Sequence, residues 1–162
     1  MKNPFILVKL SNGVLKKKPN FDSAIVRQSF ILPIEPNQKY MIKAEGSAIF
    51  CLEQAQEINW SDGDNSLCKE INNQQLYFSC LIPPIGIKIK LNSDDQELHS
   101  ISIRKTLEMP DGELLALDQE LVKNHNFLNS TEEYFFESDA AQNEKKVRWI
   151  QGYNKYIVRE AN

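Results

Sequence analysis

The residues best suited to chemistry sit together in one short run, Trp60-Ser61-Asp62-Gly63-Asp64-Asn65. Oxygen ligands at alternating positions around a glycine suit a hard cation such as calcium, which nominates Asp62 and Asp64 as metal ligands. The run lacks the length and the distant glutamate of an EF-hand loop, and a plain Asp-Gly turn is the alternative. Trp60 offers a second chemistry. A flat aromatic face stacks on the apolar face of a sugar ring, and neighbouring Asp, Asn or Gln groups hydrogen-bond the hydroxyls. Trp60, Asp62, Asp64 and Asn65 are therefore the candidate ligand-binding residues; the structural alternative folds Trp60 back over the edge of the domain.

Catalytic constellations are harder to assemble. The chain has two histidines. His99 has the parity of Ile101 and Ile103, which predicts a hydrogen-bonded, partly buried side chain, and His125 falls in a polar stretch. No glycine-rich phosphate loop and no nucleophile elbow occur. The pairs Asp94-Asp95 and Glu132-Glu133 are adjacent, so in extended chain they point apart, which is poor geometry for acid–base work. The sequence therefore predicts no catalytic residues and no cofactor beyond the calcium that Asp62 and Asp64 suggest.

The elements that must position these residues are strands. Period-two alternation recurs throughout and helical periodicity is scarce. Extended runs are expected at 5–10, 25–34, 40–44, 48–52, 76–82, 85–91 and 98–104. The alternation of Ile85, Ile87, Ile89 and Leu91 with Gly86, Lys88 and Lys90 is the clearest. Gly46-Ser47 reads as a hairpin turn. Residues 53–73 are polar and read as a long loop with a short strand at 67–71. A strand at 114–117, a competing short helix at 118–123, and strands at 134–137, 147–150 and 156–159 complete about ten to twelve strands, the spacing of an antiparallel sandwich or barrel.

Composition agrees with a folded domain: 162 residues, 41% hydrophobic and 25% charged are enough for one domain with its own core. The net charge of −3 argues against nucleic acid as a partner, and the lysine run at 16–18 reads as a solvated loop. No apolar stretch approaches a membrane span. The apolar run at 5–8 is too short for a signal peptide, so the expected chain is soluble and either cytoplasmic, the default reading, or a mature form without its leader. Cys51, Cys68 and Cys80 lack metal-binding spacing. Cys80 sits in an apolar alternation and reads as a buried thiol; one disulfide with an odd thiol left over is the alternative, and its connectivity is not legible. Trp149, with Val147, reads as core, near Tyr153 and Tyr156. Asn129-Ser130-Thr131 fits a glycosylation sequon.

Two stretches carry a family likeness. The progression Gln28-Ser29-Phe30-Ile31-Leu32, then Pro36 to Gly46 containing Tyr40-Met41-Ile42-Lys43-Ala44, then Leu76-Tyr77-Phe78, Ile87-Lys88-Ile89 and Ile101-Ser102-Ile103 resembles the jelly-roll β-sandwich of carbohydrate-binding-module and galactose-binding-like families, over residues 25–104. Asn124-His125-Asn126-Phe127 with Tyr134-Phe135-Phe136-Glu137-Ser138-Asp139 resembles a segment of domains attached to bacterial surface-polysaccharide proteins, with His125-Asn126 where that segment has Gly-Asp and Tyr134 where it has Trp. The resemblance implies a non-catalytic module that binds glycan or polysaccharide. The expectation is thus an all-β, antiparallel, jelly-roll-like β-sandwich occupying 1–162 as one domain, with a long loop between about 53 and 73 and with 105–162 as C-terminal strands packing on or extending it. The rival function is a protein-interaction or structural module that forms a homo-oligomer or docks to a partner chain.

Overall fold

The computed structural model describes the backbone of residues 5–9, 15–16, 24–93, 95–123, 125–126, 133–138, 141–150 and 155–160, and the side chains of 15–16, 26–93, 95–123 and 125–126. The fold is all-β and antiparallel, with no helix among the described residues. In chain order the strands are β1 (Phe5–Lys9), β2 (Leu15–Lys16), β3 (Ala24–Ser29), β4 (Tyr40–Leu52), β5 (Gln56–Trp60), β6 (Cys68–Asn72), β7 (Gln75–Ile82), β8 (Gly86–Leu91), β9 (Glu97–Glu108), β10 (Leu114–Ala116), β11 (Glu133–Ser138), β12 (Ala141–Ile150) and β13 (Lys155–Glu160).

The organising element is β4. Its first half pairs with β7 on one side and β9 on the other, from Tyr40↔Phe78 and Tyr40↔Lys105 onwards. Its second half pairs instead with β8 and β6, as in Phe50↔Ile89 and Phe50↔Lys69. The change of partners falls at Gly46, with φ +102°. A Cβ there would lie 2.0 Å from the carbonyl oxygen of Glu97, so only glycine allows β9 to approach this closely. The Gly46-Ser47 turn expected from sequence therefore lies inside one 13-residue strand, opposite a bulge in β9. The inward set Ile42, Ala44, Ala48, Phe50 and Leu52, all buried, stays in phase across it.

The bulge also moves His99. Register steps from Glu45↔Ser100 to Gly46↔Leu98, leaving His99 as the extra residue. It is exposed, not packed with Ile101 and Ile103, because an inserted residue inverts the parity beyond it.

Residues 53–73 are not one long loop: they hold β5 as well as β6, the short strand expected near 67–71, joined by the turn at 61–67. β5 pairs with β7 and β6 with β4. Each has one neighbour among the described strands, and edge strands keep polar residues along them, hence the polar composition. Nor is 118–123 helical: this segment runs beside β9, with Leu121 N–H donating to Ile103 O at 3.0 Å and Ile101 N–H to His125 O at 3.0 Å.

Among the described residues one apolar cluster fills the centre. Val26, Phe50, Ile87, Ile89 and Leu91 enter it from one set of pairings, and Tyr40, Ile42, Phe78, Ile101 and Ile103 from the other. Burying side chains of this size contributes about 1.5–3 kcal/mol each. Tyr40 carries its hydroxyl to the margin, where it accepts a hydrogen bond from Glu35 N–H at 2.7 Å. Burial pushes the Tyr40 hydroxyl above the usual tyrosine range.

At the other end of the path β11 meets β3 at Phe135↔Ile25, and β12, β13 and β1 follow in order. The side chains of Tyr134-Phe135-Phe136, Trp149, Tyr153 and Tyr156, and the sequon at 129–131, lie outside the described residues, as do Lys17 and Lys18.

Candidate functional site

The run nominated by sequence forms the turn between β5 and β6. Trp60 points inward and is 3% exposed. Its ring packs on Phe78 with centroids 5.5 Å apart, and its Nε1–H donates to Ser66 O at 2.8 Å. It shares parity with Ile58, which is also buried; that alternation was the available signal. The aromatic platform expected at Trp60 thus has no face open to solvent.

The carboxylates are occupied from within the turn. Asp64 Oδ1 accepts from Ser66 N–H at 3.0 Å and Ser66 Oγ at 2.7 Å, while Asp64 Oδ2 accepts from Lys69 Nζ at 3.0 Å. Asp62 Oδ2 forms an ion pair with the same ammonium, and Asp62 Oδ1 accepts from Asp64 N–H at 3.1 Å. Hydrogen bonds from Ser66 and Lys69 hold the Asp64 carboxyl well below the usual carboxylate range, and Lys69 does the same for Asp62. In return Lys69 is raised by both aspartates. Asn65, with its amide turned to donate, reaches Asp64 O and Ile58 O at 3.2 Å. Lys69 Nζ occupies the position between Asp62 and Asp64 that the calcium expectation gave to a metal. Among the described residues no group of three or more His, Cys, Asp or Glu could hold one. The four nominated residues come together as a self-satisfied turn.

Two other surfaces carry more open chemistry. The first is the polar outer face of β7, β4 and β9. Its rows follow the register: Tyr77–Met41–Arg104, Gln75–Lys43–Ser102, and Glu45–Ser100. Tyr77 is half-buried, and its hydroxyl accepts from Gln75 Nε2 at 2.7 Å. It lines a cleft of about 320 Å³ with Lys39, Asn59, Ser61 and Ser79, whose apolar lining is Phe78, Leu114 and the edge of the otherwise buried Trp60. A second cleft of about 340 Å³ is lined by Lys43, Gln75, Ser102, Arg104, Glu120 and His125. Ser102, Glu120 and His125 lie together here, but they are not wired as a nucleophilic relay. Glu120 accepts from Ser102 Oγ at 2.5 Å, Ile103 N–H at 2.9 Å and Val122 N–H at 3.2 Å, with Arg104 Nε 3.7 Å away. No hydrogen bond joins His125 to Ser102 among the described residues, and a serine nucleophile needs a base in contact. Glu120 fastens the 117–125 segment to β9.

The second surface is apolar, and the sequence reading missed it. Met109-Pro110-Asp111-Gly112 turns β9 into β10, with Gly112 at φ +88° and Glu113 N–H donating to Asp111 Oδ1 at 3.0 Å. Across the hairpin Leu107 stands directly opposite Leu115. They are 54% and 52% exposed, and Met109 and Leu117 on the same face are 39% exposed each. Leu117 continues this face into a cleft of about 380 Å³ with Leu32, Pro33 and Leu121. The Lys105–Glu35 ion pair, 2.7 Å, lies in its lining. The sequence signal was the alternation of Leu107 with Met109 and of Leu115 with Leu117, but alternation does not tell which face is covered.

Compared with protein-family models, with curated proteins and with solved structures, the chain matches none.

Proposed function

We propose that this chain is a non-catalytic docking module that binds a partner protein through the leucine face of the β9–β10 hairpin. The observation that carries the reading is the directly opposed pair Leu107 and Leu115, each more than half exposed. Scattered apolar side chains on a surface are ordinary, whereas a contiguous group on a rigid element marks an interaction site. Here four apolar side chains share one face and adjoin an apolar cleft that would seat an anchoring side chain.

The test is photo-crosslinking from a benzoyl-phenylalanine placed at Leu115 and, separately, at Lys43 on the polar face, in extract of the chain's own cells. A product from position 115, lost on adding Leu107→Ser and not formed from position 43, is the expected result. Equal products from both positions, or none from 115, overturn the reading. Self-crosslinking would make the partner a second copy.

A second reading places glycan on the polar outer face. Tyr77 favours it: a partly accessible aromatic beside Gln75, Lys43, Asn59 and Ser79, the mixture of stacking surface and hydrogen-bonding groups that sugar rings require. On a glycan array, binding that Tyr77→Ala removes would support this reading, and binding unchanged by that substitution would defeat it.

A further inference from the structure

The hairpin carries two more features, an unpaired edge and a strong charge, and together they describe what docks there. β10 pairs only with β9 among the described strands. In the ladder, Met109 N–H donates to Glu113 O at 2.7 Å and Leu117 N–H to Lys105 O at 2.9 Å. Bonded pairs recur at every second residue of an antiparallel ladder, so Leu115 bonds Leu107. The N–H and C=O groups of Leu114 and Ala116 therefore point to the open edge, a template for one more strand.

The charge is acidic. Residues 105–120 contain Lys105 against Glu108, Asp111, Glu113, Asp118 and Glu120, a net of −4. Lys105 is paired with Glu35 and Glu120 with Arg104. Glu108, Glu113 and Asp118 are exposed and enter no ion pair with described residues. Glu108 lies opposite Leu114, and Asp118 follows Ala116 by two positions. Glu108 therefore belongs to the face away from Leu107 and Leu115, because side chains alternate along a strand, and Asp118 lies in the bend just past the end of β10.

We infer that the partner segment is an extended strand of alternating apolar and basic residues that adds to the open edge of β10. This rests on the docking reading above and gives it an occupant. Apolar side chains of the added strand meet the Leu107, Leu115 and Leu117 face. The intervening lysines or arginines meet Glu108 and Asp118, and the backbone bonds Leu114 and Ala116.

The test uses the full chain and three short fluorescein-labelled peptides read by anisotropy. One alternates Lys and Val, one alternates Glu and Val, and the third is the Lys-Val peptide N-methylated on alternate residues so that it cannot pair along one edge. The Lys-Val peptide should bind at least about 10-fold tighter than the Glu-Val peptide at low salt, and less tightly as salt rises. Alternate N-methylation should cost about 10-fold, and Glu108→Gln with Asp118→Asn about 5-fold. Leu107→Ser with Leu115→Ser, at exposed positions, should abolish binding while the chain stays folded. Equal affinity for the acidic and basic peptides, indifference to N-methylation, or no peptide binding overturns the basic-strand inference and leaves a Leu115 crosslink standing. Peptide binding undiminished by Leu107→Ser with Leu115→Ser also overturns it, since the peptide then sits elsewhere. Failure of the docking reading shows separately, as absence of that crosslink.

Discussion

Cutting the Cys51–Cys68 disulfide should lower the melting temperature by about 6–12 °C. The bond joins residues directly opposite in β4 and β6, 17 positions apart in sequence. A crosslink of that loop length removes denatured-state entropy worth about 3 kcal/mol. For a domain of this size each kcal/mol moves the midpoint by about 2–4 °C, which gives the range. The assay is thermal and urea unfolding of three samples: oxidised wild type, wild type reduced with a phosphine, and Cys51→Ala with Cys68→Ala. Cys68 is exposed, so the reductant reaches the bond. Cys80 is buried, and burial pushes its thiol up to about 11, so it does not reshuffle with the released pair. If the effect acts through the denatured chain, the reduced and alanine forms agree with each other. Both also unfold with a steeper urea dependence, because the unlinked chain exposes more surface. A shift under about 2 °C with an unchanged slope would refute the loop-entropy reasoning.

Three further outcomes are expected. Gly46→Ala should cost at least about 3 kcal/mol, because it meets both a positive φ and the Glu97 carbonyl, whereas Gly63→Ala, with φ +89° and open space around it, should cost about 1 kcal/mol; paired denaturation curves decide. Trp60→Ala should cost about 3–5 kcal/mol as a core truncation, while Trp60→Phe keeps most of the packing and loses the Ser66 bond, about 1 kcal/mol; an exposed platform would show neither loss. Lys69→Met should lower stability slightly near neutrality. The depressed Asp62 and Asp64 stabilise fully above the ordinary carboxylate range, and that contribution fades as pH falls through their lower folded values. The raised Lys69 contributes until pH climbs through its elevated value. The gap between wild type and variant should therefore close at both extremes of a pH–melting series, and a constant gap would refute the assignment.

What the sequence reveals and hides can be traced to particular residues. The strand Gly86–Leu91 is legible because its alternation is unbroken and one face is buried. Gly46 is ambiguous because a positive φ serves a turn and a bulge equally; the uninterrupted parity of Ala44, Ala48 and Phe50 is what separates them. β6 is legible as the short strand expected at 67–71, whereas β5 is hidden because edge strands carry polar residues, and a polar run with an Asp-Gly turn looks like a loop. Trp60 and its neighbours are adjacent on paper, yet the strand ends by aiming the ring inward while the carboxylates close on a lysine from the next strand. The Cys51–Cys68 pairing depends on the register of β4 against β6, a tertiary fact. The leucine face of the hairpin depends on what lies over it, which alternation does not encode.

The strand β4 has a further consequence. Because its two halves serve different sets of partners, neither set keeps its middle strand if the other dissolves. The backbone amides on both sides of Gly46 should then exchange with solvent only when the whole molecule opens, at one common rate. Damage at Gly46 should therefore be felt in both sets of pairings that β4 joins, and the tolerance for change should reside at the hairpin tips and edges, where the proposed docking surface also lies.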